Sequence, residues 1–252
     1  MSERVLISVV GGILTATLNR EDKRNAIDTA MIDALLATLE RADLDATVRV
    51  VAIRGAGRDF CAGMDLNELL ASADQSLDQN RKAALHFAEI FIRMRRLPKP
   101  VVALVHGRAL AGGCGLATAC DLILASESAQ FGYPEVQRGF VPAIVMTMLR
   151  RAVGEKVAFD LATTGRLLDG TEAAAAGLAS RVYENADFEE QAAEVLRVLA
   201  EASPSALAFT KQQFYQLDGL GFEDGLRLGA DVNAVSRRTP DFRAALSAFL
   251  RK

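Results

Sequence analysis

The chain has 252 residues, half of them hydrophobic, enough to fill a substantial core in one large domain or two small ones. Its 29 basic and 32 acidic side chains leave a formal net charge of −3, so no global positive field recruits nucleic acid or an anionic membrane surface. Three cysteines, Cys61, Cys114 and Cys120, lack metal-ligand spacing and leave one thiol over in any disulfide scheme, which points to a reducing compartment, most simply the cytoplasm.

Val5–Val10 and Ile13–Leu18 flank Gly11-Gly12 and predict a β-hairpin rather than a secretory leader, since no basic start, long apolar centre or cleavage site accompanies them. Nor does any later apolar run reach bilayer-spanning length, so no membrane partner is expected. A charged loop over 19–26 follows, then Asp28 as the cap of an amphipathic helix through Leu39. Val48–Gly55 reads as a strand, and Gly57–Leu66 carries the chain towards a second helical pattern. Residues 72–79 read as a polar loop, and 80–96 as a helix with apolar positions at Leu85, Ala88, Ile92 and Met94, stopped by Pro98 and Pro100. His86 falls on the surface of that helix.

At the centre of the chain, Val101–Val105 is an apolar strand, with His106 at its end. It runs through Gly107 and the glycine-rich Gly112-Gly113-Cys114-Gly115 into a helix start. A strand over Leu122–Ala125 leads to Phe131–Val136, read as an exposed turn with one carboxylate, Glu135. A helix over Val141–Val153, with Pro142 near its start and Gly154 as its stop, is followed by helical stretches at 155–163, 171–176, 187–202 and 205–216. Strands alternating with helices, then a helical tail, give an α/β core with an appended helical region and no internal repeat.

Familiar nucleotide and nucleophile motifs fail. Gly113–Thr118 lacks the third glycine of a dinucleotide fingerprint, no glycine-lysine-serine/threonine run forms a P-loop, no nucleophile elbow occurs, and the two histidines have no zinc spacing. No metal is expected. What remains is a pair of loops, Gly63-Met64 and Gly112-Gly113, each offering backbone N–H groups before a helix. Brought together they make a two-donor hole for an oxyanion or enolate; left apart they are two tight turns.

The two loops and their surroundings resemble those of the crotonase, or enoyl-CoA hydratase/isomerase, family over nearly the whole chain. The resemblance is carried by Asn19-Arg20 with Lys23–Ala26, by Phe60–Leu66, by Ala109–Asp121, by Phe131–Gly139 and by Thr239-Pro240-Asp241-Phe242, in that order. It implies an α/β fold made of a crotonase-like spiral of β-β-α turns over residues 1–200, with a C-terminal helical region over 201–252 through which the chain forms a homotrimer or a dimer of trimers. It implies that the Met64 and Gly112 amides hold the thioester oxygen of an acyl-CoA. Ala62 and neighbouring backbone would contact the adenine, with Gly63, Asp65, Leu66 and Gly113 also in the substrate-binding set. Arg20, Lys23 or Arg24, and Lys211 in the late helical region, would lie near the nucleotide and its phosphates. No cofactor is implied beyond the coenzyme A that arrives with the substrate.

Family hydratases commonly hold water between two glutamates. Only the second is matched here, by Glu135, the expected acid/base; the first position is Gly115. Enoyl-CoA hydration stands first by family resemblance, double-bond isomerisation suits a single carboxylate better by mechanism, and a non-catalytic CoA-binding scaffold is the alternative of another class. Asp65, although placed beside the substrate, reads as a local acceptor for the helix that follows it. Leu66, Leu69, Leu70, Phe87 and Val141 have the character of either pocket lining or core, so the acyl chain cannot be read from them.

Overall fold

Gly11 and Gly12 both take positive φ, 57° and 81°, as a two-residue hairpin turn requires. They join β1 (Val5–Val10) to β2 (Ile13–Leu18) in antiparallel register, from Val5 opposite Leu18 to Val10 opposite Ile13. The structure, a computed structural model, describes residues 3–251. Asp28 caps α1 (Thr29–Leu44), its carboxylate accepting the Met31 amide at 2.8 Å; the helix continues past Leu39.

β3 (Val50–Gly55) is followed by α2 (Leu66–Ala71) and α3 (Leu77–Arg96). The stretch over 72–79 is not wholly a loop: Ser76 and Gln79 form a reciprocal capping box that starts α3 at Leu77. β4 (Val101–Val105) and β5 (Arg108–Leu110) lead into α4 (Gly112–Thr118). β6 (Leu122–Ser126) and β7 (Gln130–Gly132) lead through a 3-10 turn, Pro134–Arg138, to α5 (Met146–Val153) and α6 (Glu155–Thr164). β8 (Leu167–Asp169), α7 (Gly170–Ala175) and β9 (Arg181–Tyr183) precede four closing helices, α8 (Phe188–Glu201), α9 (Pro204–Gln216), α10 (Phe222–Ser236) and α11 (Pro240–Phe249).

The larger sheet has the order β1-β2-β3-β4-β6-β9, parallel from β2 onward, and the smaller has the order β5-β7-β8. β4 and β6 each pass the chain to a short strand of the smaller sheet before it reaches a helix. Those are the β-β-α turns of the spiral. β3 and β4 are apolar on both faces because both are covered. Val51, Ile53, Val101, Ala103 and Val105 face the main core, while Val50, Ala52, Val102 and Leu104 meet Phe188, Ala192, Val195 and Leu196 of α8.

Two expectations change. The turn carrying Glu135 is not exposed: Phe131, Tyr133, Pro134 and Glu135 are all buried, because β7 pairs with β5 and β8 and draws the segment inward. The helix expected from Val141 begins only at Met146, leaving 141–145 as an irregular approach. At the chain's other end the tail is tied down by α9, where Lys211 is buried. α10 and α11 bury none of their described residues.

Candidate active site

The two glycine loops meet. After β3 the chain runs beside β5, with Cys61 bridged to Ala109: the Cys61 amide donates to the Arg108 carbonyl and the Leu110 amide to the Cys61 carbonyl, each at 2.9 Å. Three residues on, Met64 bridges Ile27, but through its neighbours, since Ile27 donates to the Gly63 carbonyl and Asp65 to the Ile27 carbonyl, each at 2.8 Å. Successive amides of an extended chain point to opposite sides, so the Met64 N–H is turned away from Ile27. In the other loop Ala111 donates to Gly132 at 2.8 Å and takes φ 50°, ψ −125°, a strained conformation for alanine. Gly112 then opens α4, whose first-turn amides have no intrahelical acceptor. Neither the Met64 nor the Gly112 amide donates to an acceptor among the described residues.

The loops touch directly. A Cβ built on Gly112 would stand 3.4 Å from Met64 Cγ and 3.4 Å from Phe87 Cζ, and one built on Gly63 would stand 3.5 Å from the Gly112 nitrogen. Phe87 of α3 therefore walls the site as well as belonging to the core. Gly113 lies buried behind Gly112, against Cys61.

Glu135 is held against the same helix. The Tyr133 and Thr118 hydroxyls are 2.7 Å apart, and Thr118 donates to the Cys114 carbonyl at 2.7 Å, which fastens the Glu135 turn to α4. The Phe140 amide donates to the Glu135 carbonyl at 3.0 Å and closes the turn. Glu135 is 8 % exposed and its Oε2 has no hydrogen-bond partner. Burial pushes its carboxyl above the ordinary 4.5, opposed by a backbone hydrogen bond and the charge of Arg138. A buried acid with a free oxygen and a raised pKa has the properties of a group that both takes and returns protons. The thiols nearby do not compete: burial pushes Cys61 and Cys114 up to about 12, so neither is a nucleophile at neutral pH.

A family model described as "Enoyl-CoA hydratase/isomerase" matches residues 9–252. The chain belongs to the enoyl-CoA hydratase/isomerase family. It is 40% identical over 242 residues to a putative enoyl-CoA hydratase of Thermus thermophilus, covering 96% of each chain. It is 31% identical to a 1,2-epoxyphenylacetyl-CoA isomerase of Escherichia coli, covering 100% of this chain and 97% of that one. Among solved structures, an enoyl-CoA hydratase of Mycobacterium smegmatis superposes with a TM-score of 0.94 at 30% identity, covering 99% of this chain and 97% of that chain. The fold is that of the crotonase family, and names within the family divide between hydration and isomerisation.

Against that family background the basic residues sort differently from expectation. Arg20 does not reach outward. Its guanidinium donates to the Ala26 carbonyl at 2.7 Å and to Asp65 at 2.9 Å, lies 3.4 Å from Asp28, and is mostly buried. Two acids and a carbonyl converge on it, so it braces the loops at 20–28 and 65. Lys211 is also withdrawn: its ammonium donates to the carbonyls of Met94 at 2.8 Å and Lys99 at 2.9 Å and pairs with Asp121 at 2.7 Å. It fastens α9 to the core.

Lys23 and Arg24 are exposed on the loop that faces Ala62, whose amide donates to the Arg24 carbonyl at 3.0 Å. Asp65 caps α2, accepting the Asn67 amide at 2.9 Å, and the Arg20 guanidinium holds its carboxyl below the ordinary range. Leu66 is exposed beside it.

One feature of the site had no signal in the sequence. A Cβ built on Gly115 would collide with Val145 Cγ1 and stand 2.8 Å from Val145 Cβ. The place where a side chain at 115 would begin is filled by valine. Beyond the Glu135 turn, a cavity of about 620 Å³ is lined mainly by Val136, Val141, Pro142, Met146, Phe159 and Ala162.

Proposed function

We propose that the protein forms an enolate from an acyl-CoA thioester, the Met64 and Gly112 amides holding the thioester oxygen and Glu135 moving the proton. Preoriented amides need no reorganisation as charge develops on that oxygen, and each such donor is worth about 3–4 kcal/mol of barrier. Ala62 and Leu66 line the approach, Gly63 and Gly113 pack behind the two donors, and the exposed Lys23 and Arg24 would meet the phosphates of coenzyme A. The observation that carries the reading is the meeting of two unpartnered amides, Met64 in the loop before α2 and Gly112 at the start of α4, the helix to which the Glu135 turn is fastened.

Of the reactions open to this arrangement, migration of a 3-enoyl double bond to the 2-position fits best. Glu135 removes a proton from the carbon next to the thioester, charge passes to the carbonyl oxygen, and the same carboxyl returns a proton two carbons further on. One carboxylate suffices. Hydration of a 2-enoyl-CoA is the second reading, favoured by the Thermus relative's name; it requires Glu135 to hold and activate water without a second acid. A scaffold without turnover leaves the buried, partnerless Glu135 unexplained. Product analysis with 2-enoyl- and 3-enoyl-CoA thioesters separates the three: a moved bond, a water adduct, or binding alone.

Assembly through the C-terminal region fits the same picture. Phe214, Phe222, Leu226, Phe249 and Leu250 are exposed on the last helices, and neighbouring copies in a trimer would cover them. Among the described residues no helix is long and apolar enough to cross a membrane.

A further inference from the structure

We infer that Val145 decides the fate of the enolate, acting as a hydrocarbon wedge that denies water a place beside Glu135 and so holds the site to proton transfer. The inference rests on the enolate reading given above. Val145 is 3 % exposed and held in place by backbone, its carbonyl accepting from Met148 at 3.1 Å and Leu149 at 3.0 Å at the start of α5. Its Cγ1 occupies the position where a side chain on residue 115 would start, and its Cβ stands 2.8 Å from it. Gly115 lies three residues along α4 from Gly112, so the two share one side of the helix.

Gly115 is also adjacent to Cys114, which the Thr118–Tyr133 link joins to the Glu135 turn. Where α4 meets Val145 the surface is therefore methyl groups and a bare glycine. A buried water needs two to four polar partners; Gly115 and Val145 offer no side-chain partner, and the Thr118 hydroxyl is already engaged by the Cys114 carbonyl and Tyr133. Proton transfer between two carbons of a bound substrate makes no such demand. Gly115 and Val145 thus act as a pair: the glycine leaves space, and the valine fills it with hydrocarbon instead of a polar group.

The test uses the purified full-length protein with 2-enoyl- and 3-enoyl-CoA in D2O. Mass spectrometry follows the water adduct, the migrated bond and deuterium next to the thioester. The wild type should give migrated product with little adduct and little deuterium, because a carboxyl that water does not reach returns the proton it took. Val145→Thr, which exchanges a methyl for a hydroxyl able to hold water, should raise the ratio of adduct to migrated product about tenfold, a change of 1.4 kcal/mol in relative barrier. Gly115→Glu alone should melt well below the wild type, since two side chains then claim one space; Gly115→Glu with Val145→Gly should recover that loss and raise the ratio further.

An unchanged ratio in both Val145→Thr and the double variant, with bond migration intact, overturns the wedge and leaves the enolate standing. So does a wild type that adds water as fast as it moves the bond. A wild type that yields neither product overturns the enolate reading, and the wedge with it.

Discussion

The loops of the site and the C-terminal helices obtain their order by opposite routes. Residues 60–65 and 109–113 have weak local preferences, yet bridges from Cys61 to Ala109 and from Ile27 to Met64 hold them in place. α11 carries strong local signals, with Thr239 capping it and Pro240 in its first turn, and yet it and α10 bury none of their described residues. Phe222 is 83 % exposed and Phe249 74 %. A backbone site has to be rigid before substrate arrives, so its order comes from within the chain. A helix can form on local terms and leave its apolar face for another surface.

The sharpest way to break this comparison is to remove the one reactive side chain from the rigid region. Glu135→Gln should lower kcat about 10²–10⁴-fold with acyl-CoA affinity by calorimetry unchanged. It should also raise the melting temperature at pH 7, since a buried carboxylate without a partner on Oε2 becomes a neutral amide. Burial raises the folded pKa of Glu135, so its penalty on stability is absent in acid and appears as pH rises through that value. The variant's thermal advantage should accordingly shrink as pH falls; an advantage independent of pH assigns it to something other than this carboxyl.

Next in size is the junction between the two regions. Lys211→Ala removes one partner from a buried pair and leaves Asp121 and two carbonyls facing a void, a loss of about 3–5 kcal/mol in denaturant unfolding. Tyr215 shares the same carboxylate at 2.6 Å, so proteolysis should open first around α9. Unchanged stability would show that the Lys211–Asp121 pair does not hold α9, and would return Lys211 to the place near the nucleotide that the resemblance implies.

Smaller effects distinguish brace from binder. Arg20→Ala should cost about 1–3 kcal/mol of stability by leaving the buried Asp65 carboxylate without its cation, while Arg4 keeps Asp28 paired. Lys23→Ala and Arg24→Ala should change stability by no more than about 0.5 kcal/mol while raising KM for acyl-CoA, an effect that fades in high salt. The opposite outcome would put Arg20 back beside the phosphates. Smallest of all on melting should be Phe222→Ser and Phe249→Ser, whose effect belongs in sedimentation, as a shift towards lighter species.

Much of the fold could be read locally because its causes are local. The Gly11-Gly12 hairpin, the Asp28 cap and the unbroken apolar runs of β3 and β4 are each specified within a few residues. β5, β7, β8 and β9 are three residues each, too short for any periodicity, and exist because a neighbouring strand lies alongside. The same limit hid the burial of Glu135, whose turn is drawn in by pairing on both sides of β7.

The sequence by itself determined the hairpin, the longer strands and most of the helices up to α9, the glycines that open α4 and, through resemblance, the family and the residues to examine. Tertiary structure decided what those residues can do. Arg20 and Lys211 look like free cations until acids 45 and 90 residues away are brought against them, and burial then turns both inward. Gly115 looks like one more loop glycine until Val145 is seen to occupy its missing side chain. The physical reason is common to all three: charge pairing and close packing depend on distance in space, which residue spacing along the chain does not encode.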